Sequence, residues 1–408
     1  SRFCGQTPRK ENALAFLRRG CYNISMKTYD VIIIGGGAAG LYLAAALGGR
    51  VSAAVVERGE RVGKKLSATG GGQGNLSNMG VCAEKYFGDR GAIADVLGDD
   101  RTRVLKMFDG LLTADARGRI YPAGRQASSL TDCLRRKASA CADVLTGMRV
   151  TGIKRGFIVS TDKGELRGKR VVLCTGGMAG RGFGTDGSAY ALARAFGHTV
   201  TELHPSLVQL KTDSPDIKTL RGVRADCIAR VLCGEEYIAE AEGEVIFGDG
   251  AVGGSAVFYV SPFVTGKRGC TLELEFLPGV SEEEIAADVR RKQALGIERS
   301  ELLAITLNNM LGRAVIRRTH GGAADIAHIV KHLALPVSGT AGFDGAQVTR
   351  GGVPLGEVTR SLESRLERGL YFAGEILDVD GECGGYNLHW AWASALRVAE
   401  SITGETLL

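Results

Sequence analysis

The stretch YDVIIIGGGAAG at residues 29–40 decides the fold of this chain. Its branched apolar residues favour a buried strand and run directly into glycines, and the next segment, Leu41 to Leu47, favours a helix. A strand, a glycine turn and a helix in this order are the context in which the spacing G-x-G-x-x-G indicates a dinucleotide site. We expect Gly35 to make the tight turn, Gly37 to let the backbone approach a pyrophosphate, and Gly40 to let helix and strand pack closely.

A carboxylate follows this motif at the distance typical of dinucleotide-binding folds. A second apolar run, Val51 to Val56, ends in Glu57, which lies 22 residues after Gly35. An acidic side chain at this place holds a ribose hydroxyl, while the helix N-terminus offers N–H groups and partial positive charge to the phosphates. The combination predicts a doubly wound α/β domain of the Rossmann type. A glycine-rich turn in another doubly wound protein is the alternative.

The charge of the chain is unevenly distributed. The 408 residues are 44% apolar and 24% charged, which is enough for two or three globular domains. Of the net charge of +6, residues 1–25 contribute +4, because five Lys and Arg face a single Glu there, and the rest carries only +2. This nearly balanced surface predicts no nucleic-acid partner, and no apolar run approaches the roughly 18 residues of a membrane span.

The ten cysteines are scattered, and none forms a C-x-x-C pair. Cys174 and Cys383 lie in glycine-rich motifs that disfavour a disulfide. The pattern predicts reduced thiols and a cytoplasmic protein. Because Met26-Lys27 directly precedes the first strand, residues 1–25 are predicted to be an N-terminal extension, with a basic targeting peptide as the alternative.

Three predicted strands end in glycine motifs, at Gly35, at Thr175-Gly176 and at Gly374-Glu375. A single dinucleotide with a large aromatic ring system would use all three, with Glu375 near its second, sugar-like linker. The last helix begins at Gly385-Tyr386-Asn387, where its N-terminus can stabilise negative charge on a reduced ring. The pattern favours FAD over NAD, because NAD sites rarely need contacts from the far end of the chain.

Two loops are candidates for lining the site. The glycine-rich loop from Arg58 to Asn75 has little side-chain bulk and predicts close backbone contacts to a ligand, although a flexible surface loop is the alternative. Within it, Lys64 and Lys65 face either phosphates or water. The turn from Arg119 to Arg125 is a less specific candidate for a segment that borders the site.

The sequence pattern changes in the middle of the chain. From Gly197 onward, short alternating segments such as TLELEF at 271–276 indicate half-exposed strands, and Ser281 followed by Glu residues indicates a capped helix start. We predict an FAD-binding domain formed by residues 26–195 and 341–408. A mostly antiparallel, barrel-like domain is inserted at 196–340, with a helical part at about 281–335.

His328 and His332 lie four residues apart, which is the spacing of a metal-binding pair on one helix face. No third ligand is apparent in the sequence, and apolar residues surround the pair. We therefore interpret both histidines as structural and predict no metal.

These motifs resemble those of the BaiN-like and aminoacetone oxidase-like flavoproteins, within the glutathione-reductase-like FAD enzymes. The resemblance covers nearly all of the chain from Met26, and Gly384-Gly385-Tyr386-Asn387 is its most diagnostic motif. It rests further on residues 34–40, 62–65, 69–72, 173–177, 346–353 and 373–381. It implies tightly bound FAD and an inserted barrel-plus-helix domain that covers the flavin.

Two segments depart from the family pattern and leave the substrate class open. The family's glycine loop usually continues Arg-Cys-Asn, whereas this chain has Gln73-Gly74-Asn75. The inserted domain usually carries Gly-x-Ser-Gly-Pro, whereas residues 250–255 read GAVGGS. The first change removes an arginine charge and a thiol from beside the expected flavin.

The predicted FAD contacts come from these motifs. They are Gly35, Gly36, Gly37, Ala38, Ala39, Gly40, Glu57, Arg58, Lys64, Lys65, Thr69, Gly70, Gly71, Asn75, Val150, Thr175, Gly176, Gly177, Gly374, Glu375, Asp380, Gly385, Tyr386, Asn387 and Leu388. Asn75, Tyr386 and Asn387 are expected nearest the flavin ring. No residue is assigned a catalytic role, because hydride transfer to a flavin requires no side-chain acid or base.

The sequence thus predicts an FAD-dependent oxidoreductase that passes a hydride between a small-molecule substrate and flavin N5. It is either an oxidase that acts on a small amine and returns electrons to oxygen, or a reductase of a C=C bond with transiently bound NAD(P)H. The lack of a second dinucleotide fold favours either the oxidase or a nicotinamide cofactor that binds only transiently. An RNA-associated flavoprotein and a flavin-free NAD protein are further alternatives, although no nucleic-acid or membrane partner is expected.

Overall fold

A computed structural model describes residues 26–408 of the chain, so the predicted N-terminal extension lies outside the described residues. The strands are β1 (Lys27–Ile34), β2 (Ala53–Val56), β3 (Ser77–Asn78), β4 (Tyr86–Phe87), β5 (Leu112–Ala114), β6 (Arg119–Pro122), β7 (Asp143–Leu145), β8 (Val150–Lys154), β9 (Ile158–Thr161), β10 (Gly164–Leu173), β11 (His204–Ser206), β12 (Leu210–Lys211), β13 (Arg224–Cys233), β14 (Glu236–Phe247), β15 (Ala251–Gly253), β16 (Cys270–Phe276), β17 (Leu333–Pro336), β18 (Gly339–Thr340), β19 (Val348–Arg350), β20 (Leu370–Phe372) and β21 (Asp380–Gly381). The α-helices are α1 (Ala38–Leu47), α2 (Arg90–Leu97), α3 (Ala127–Cys141), α4 (Tyr190–Arg194), α5 (Ser255–Val260), α6 (Glu282–Ala294), α7 (Asn309–Arg318), α8 (Ala323–Lys331), α9 (Gly342–Gly345) and α10 (Tyr386–Thr403).

The first large sheet contains the predicted Rossmann strands. Its order is β7-β2-β1-β10-β9-β8, and β20 pairs with the end of β10. Strands β7, β2, β1, β10 and β20 run parallel, and the register places Ile34 beside Val56 and Leu173, with Leu173 beside Phe372. The carboxyl ends of four strands therefore meet at one edge of the sheet, where α/β proteins bind their ligands.

Helix α1 is almost completely buried because it packs against both α10 and α3. Its Tyr42 ring stacks on Trp392 of α10 at a centroid distance of 5.4 Å, and the Tyr42 hydroxyl donates to the carbonyl of Val104. An apolar stripe on α10 therefore holds the first and last segments of the chain against the same sheet. Trp392 itself is completely buried, so its side chain serves core packing.

A second large sheet, fully antiparallel, has the order β17-β16-β13-β14-β15-β12-β18. It has its own apolar core, to which α5, α6, α7 and α8 contribute. The predicted antiparallel architecture is confirmed, but within residues 26–408 no pairing joins β17 to β18, so the sheet is not a closed barrel. The predicted domain boundaries at 195/196 and 340/341 stay a prediction.

The helical part is more divided than the sequence pattern suggests. Instead of one helical stretch over 281–335, three helices are followed by strand β17, whose alternating burial adds it to the edge of the sheet beside β16. The capping box at the start of α6 is confirmed. Ser281 accepts a bond from the Glu284 N–H, and Glu284 accepts one from the Ser281 N–H.

The expectation that all cysteines are reduced is wrong for one pair. Cys233 and Cys270 face each other across β13 and β16 and form a disulfide. The pairing was not apparent in the sequence because the two residues lie 37 positions apart and become neighbours only through strand register. Cys174 and Cys383 are unpaired, as expected.

Within residues 26–408 no helix is both long and apolar enough to cross a membrane.

Candidate functional site

A cavity of about 1000 Å³ opens at the carboxyl edge of the first sheet. Ligand pockets in proteins are typically about 300–1,000 Å³, so this one lies at the upper end and suits an extended cofactor with a substrate. Its wall includes the ends of β1, β2, β10 and β20, the start of α10, and parts of β14 and α5 from the second sheet. The site is thus lined by both halves of the molecule.

The glycines of the first turn have the roles that the motif predicts. A Cβ on Gly35, whose φ is +106°, would lie 2.5 Å from the Cys174 carbonyl oxygen. A Cβ on Gly40 would lie 1.9 Å from the Gly35 oxygen, so the helix packs closely against the turn. By contrast, a Cβ on Gly37 would point into open space, and no side chain caps the helix there. The start of α1 therefore presents uncapped N–H groups to the cavity, as a pyrophosphate requires.

Glu57 is fixed by backbone groups on both of its oxygens. The Gly36 N–H donates to Oε2 at 2.9 Å, and the Gly59 N–H donates to Oε1 at 2.7 Å. Each carboxylate oxygen keeps a further lone pair, because it can accept more than one hydrogen bond. Glu57 is therefore held against the glycine turn with acceptor capacity left for ribose hydroxyls.

The two lysines that the sequence left open have different environments. Lys64 is exposed, although it reaches the cavity rim. Lys65 is half-buried and its Nζ lies 2.8 Å from Oε2 of Glu375, whose Oε1 accepts the Thr349 N–H at 3.0 Å. This ion pair joins the glycine-rich loop to the end of β20. Both carboxylate oxygens of Glu375 therefore already have a hydrogen-bond partner in the protein.

The cavity wall contains polar atoms that have no partner within residues 26–408. Asn75 Oδ1 and Thr175 Oγ1 are buried, and neither makes a hydrogen bond within the described chain. Both residues line the cavity, and burying such groups without a partner costs about 1–3 kcal/mol each. Partners on a bound ligand would remove this cost, which fits the FAD that the sequence predicts for this position.

Asn387 lines the cavity but its side chain is already used. Its Oδ1 accepts the Gly381 N–H, and its Nδ2 donates to the Gly381 carbonyl, both at 2.8 Å. The amide therefore holds the loop before α10 in place. The N-terminus of α10 itself, at Gly385, carries no side-chain cap and offers positive partial charge to the flavin end.

The structure brings nearly all predicted cofactor residues to the cavity wall. Three are not part of it. Gly40 lies behind the turn, Asp380 is buried against Arg350, and the Tyr386 ring packs edge-on against Tyr86. That the remaining residues contact FAD stays a prediction.

Part of the cavity wall was indicated only weakly, or not at all, by the sequence. Arg119, Tyr121 and Arg125 come from the turn that was only a weak candidate, and the guanidinium of Arg125 lies 4.0 Å from the centroid of the Tyr121 ring. A further set comes from β14, from α5 and from the residue before α5, namely Glu244, Ile246, Gly254, Ser255 and Phe258. Gly254 and Ser255 belong to the segment 250–255 that departs from the family pattern, whereas alternation in β14 does not show which of its residues face a ligand.

The altered loop residues fit their surroundings. Gly74 has φ +76°, and a Cβ there would lie 2.9 Å from the Cα of Ala127, so a glycine suits this backbone better than the family's cysteine. Gln73 lines the cavity, and Arg125 Nη1 lies 3.5 Å from its Oε1. Arg125, which comes from another loop, thus lies close to position 73, where the family usually has an arginine.

Substituting Gly37 by alanine should weaken FAD binding by about 10- to 100-fold, because the methyl group would separate the backbone N–H groups from the pyrophosphate. Losing one hydrogen bond to a charged group costs about 1.5–3 kcal/mol. The free energy of unfolding of the FAD-free protein should stay almost unchanged, since no atom lies within 4 Å of the new Cβ. Flavin fluorescence titration and urea unfolding measure the two quantities. Gly356→Ala, equally unhindered but outside the cavity, is the control, and similar FAD affinity in both variants would contradict the assignment.

His389 on α10 predicts a specific loss of stability in acid. Burial, assisted by Arg101, lowers the pKa of its imidazole to about 4 from 6.5; Nδ1 contacts Ser77 Oγ at 2.8 Å, and Nε2 has no partner in the described chain. The unfolded chain binds the proton more readily, so stability should fall as the pH drops from about 6.5 to 4, by about 3 kcal/mol in total. Urea unfolding at several pH values should show this loss of unfolding free energy in the native protein but not in His389→Gln. If the free energy of unfolding depended on pH in the same way in both proteins, the prediction would be contradicted.

The chain is similar to known proteins over most of its length. Residues 29–401 match the family described as HI0933-like protein Rossmann domain. The 3-dehydro-bile acid delta(4,6)-reductase of Clostridium scindens (strain ATCC 35704 / DSM 5676 / VPI 13733 / 19) is 35% identical over 404 residues, which cover 89% of this chain and 96% of the relative. The ribosomal RNA dihydrouridine synthase of Haemophilus influenzae (strain ATCC 51907 / DSM 11121 / KW20 / Rd) is 28% identical, covering 91% of this chain and 98% of that protein.

Among solved structures, 3-ketosteroid-delta4-(5alpha)-dehydrogenase from Rhodococcus jostii RHA1 matches with 15% identity and a TM-score of 0.45, covering 94% of this chain and 99% of that one. The family resemblance inferred from the sequence motifs is confirmed by the family match. The chain belongs to the HI0933-like Rossmann family and is an FAD-dependent oxidoreductase.

Proposed function

We propose that this enzyme reduces a C=C bond conjugated with a carbonyl group in a small, mostly apolar molecule, with NAD(P)H as the electron donor. The observation that carries the proposal is the size and lining of the cavity. Besides the glycine turn and Gly385, its wall includes Tyr121, Ile246 of β14 and Phe258 of α5. A volume of about 1000 Å³ with these apolar side chains leaves space for a flat apolar molecule beside the predicted flavin.

The reaction balances without any further reactant. NAD(P)H and one proton are consumed, the substrate gains two hydrogens across the C=C bond, and NAD(P)⁺ is released. Bound FAD supplies the carrier that accepts and delivers a hydride. The chain positions both molecules, and the N-terminus of α10 favours negative charge near Gly385.

The charge of Arg125 disfavours the alternative of an amine oxidase. Arg125 lines the cavity beside Tyr121, whereas the neighbouring Arg119 is already paired with Asp115 at 2.7 Å. The Arg125 guanidinium repels a protonated amine but attracts a carbonyl oxygen or a carboxylate. The 35% identical relative is named as a reductase of a 3-dehydro-bile acid, which supports an unsaturated carbonyl compound as substrate class.

The proposal is tested with the purified full chain under anaerobic conditions. The visible spectrum should show bound FAD, NADH or NADPH should bleach it, and a 3-keto-delta4 steroid should restore the colour and gain two mass units. Bleaching by a primary amine, with rapid recolouring by oxygen, would overturn the reductase assignment. A protein that stays colourless after incubation with FAD would overturn the flavoenzyme itself.

An RNA substrate is the second candidate, because relatives from Haemophilus influenzae and Escherichia coli are named ribosomal RNA dihydrouridine synthases. Forming dihydrouridine also saturates a C=C bond next to a carbonyl, so the chemistry is the same. The exposed Arg117 and Arg125 could contact phosphates. Recolouring of the reduced enzyme by unmodified ribosomal RNA, but not by the steroid, would favour this candidate. The cytoplasmic location stays a proposal. It is compatible with NAD(P)H as the donor and with either candidate substrate.

A further inference from the structure

Two histidines and a glutamate form a cluster outside the cavity, and the sequence indicated only the two histidines. His328 of α8 and His332, which caps the end of that helix, are joined by Glu282, the first residue of α6. Sequence spacing showed two histidines and no third ligand. The third group lies 46 residues before His328 and reaches it only because α6 and α8 pack together.

The distances within the cluster fit a tetrahedral metal ion. Glu282 Oε1 lies 3.4 Å from His328 Nδ1 and 3.3 Å from His332 Nε2, and one ligand atom from each of the three residues lies within 4.8 Å of the others. Zinc binds nitrogen and oxygen at about 2.0–2.1 Å, which places tetrahedral ligands about 3.3–3.4 Å apart. The same separations are longer than an ordinary N–H···O hydrogen bond of about 2.7–3.2 Å.

A second carboxylate orients one of the ligands. Glu273 Oε1 on β16 lies 3.2 Å from His332 Nδ1, the ring nitrogen opposite the one that faces Glu282. A carboxylate on the outer nitrogen is the usual companion of a metal-bound histidine, because it selects the tautomer and raises the basicity of the inner nitrogen. The centroids of the two imidazole rings lie 4.7 Å apart, and the rings are tilted by 31°.

The cluster is open to solvent. The His328 side chain is 58% exposed, and those of Glu282 and His332 are 44% and 38% exposed. The expectation that apolar residues enclose both histidines is therefore wrong, because Ile326 and Val330 point to the core on the other face of α8. A metal ion can enter directly, and water can take the fourth position.

We propose that Glu282, His328 and His332 form a surface Zn²⁺ site, oriented by Glu273, that ties α6, α8 and β16 together. The site is structural rather than catalytic, because none of its residues lines the cavity. It is independent of the proposed reaction.

Titration of the FAD-containing full chain with ZnCl₂ against a colorimetric zinc chelator tests the proposal. We expect one zinc ion per chain whose affinity falls at least 100-fold in His328→Ala and in His332→Ala, and at least tenfold in Glu282→Gln. Glu273→Gln should lose about 10- to 100-fold, as outer-shell carboxylates do. His320→Ala, which changes an exposed histidine outside the cluster, should bind zinc like the native protein.

Cobalt provides a readout of geometry. Co²⁺ added to the native chain should give the visible absorption of a tetrahedral ion beyond the flavin bands, and His332→Ala should not. The flavin spectrum of each variant shows that it is folded. Equal zinc affinity in the native chain and both histidine variants, or an equal loss in His320→Ala, would overturn the site.

Discussion

Replacing Gly385 by alanine should destabilise the protein by about 2–4 kcal/mol and strongly reduce its FAD content. Gly385 has φ +100°, and a Cβ there would lie 2.2 Å from both Asn75 Oδ1 and the Ser77 carbonyl oxygen. The Ser77 oxygen belongs to the backbone of β3, so it cannot move aside cheaply. Overpacking of this kind costs about 1–3 kcal/mol, and the left-handed backbone adds about 1 kcal/mol.

The same helix provides the matched control. Gly404, at the C-terminal end of α10, also has a positive φ of +72°, but a Cβ there would have no atom within 4 Å. Gly404→Ala should therefore cost only about 1 kcal/mol and leave FAD binding unchanged. Urea unfolding and flavin absorbance measure both effects. If the two variants were equally stable, close packing at Gly385 would not be the reason for the glycine.

Replacing Asp380 by alanine should cost about 3–5 kcal/mol, the loss typical of breaking a buried ion pair. Asp380 is 1% exposed and accepts hydrogen bonds from Arg350 Nε and Nη2, both at 3.1 Å, and from Ser206 Oγ at 2.8 Å. Arg350 Nη1 in turn donates to the Pro262 carbonyl at 2.8 Å. Without the carboxylate, the guanidinium would remain largely buried and uncompensated.

Two variants separate this role from the cofactor role that the sequence predicts for Asp380. Asp380→Asn keeps hydrogen-bond acceptance but removes the charge, so it should lose part of the stability and little FAD affinity once folded. Asp95→Ala, which breaks the exposed pair with Arg360, should cost less than about 1 kcal/mol. A normally stable Asp380→Asn protein without FAD would support the cofactor role and contradict the structural one.

The dinucleotide half of the site could be predicted from sequence because its signals are local. Gly35, Gly37 and Gly40 act within one turn and one helix, where steric rules and unpaired N–H groups set which residues fit. Glu57 follows from the length of a single strand–helix–strand unit. The antiparallel nature of the second sheet was likewise indicated by alternation along its strands.

The part of the cavity wall that comes from β14 and α5, and polar contacts between distant segments, could not be predicted in this way. Lys65 and Glu375 are 310 residues apart, and Asn75 meets Gly385 across a similar distance in the chain. Such contacts depend on how two sheets and their connecting helices pack, and many sequence positions are compatible with any one of them. Asp380 and Tyr386 show the converse, because both lie within motifs of the family resemblance but neither lines the cavity.

The sequence by itself determined the Rossmann-type fold, the FAD class and the motifs at the dinucleotide end of the cavity, because each depends on short-range geometry repeated along the chain. Only the tertiary structure decided that Glu282 joins His328 and His332, that Cys233 pairs with Cys270, and which residues of β14 and α5 line the cavity. These features arise where helices and strands distant in sequence are packed together. Burial and strand register, rather than local propensity, select the neighbours of a side chain there.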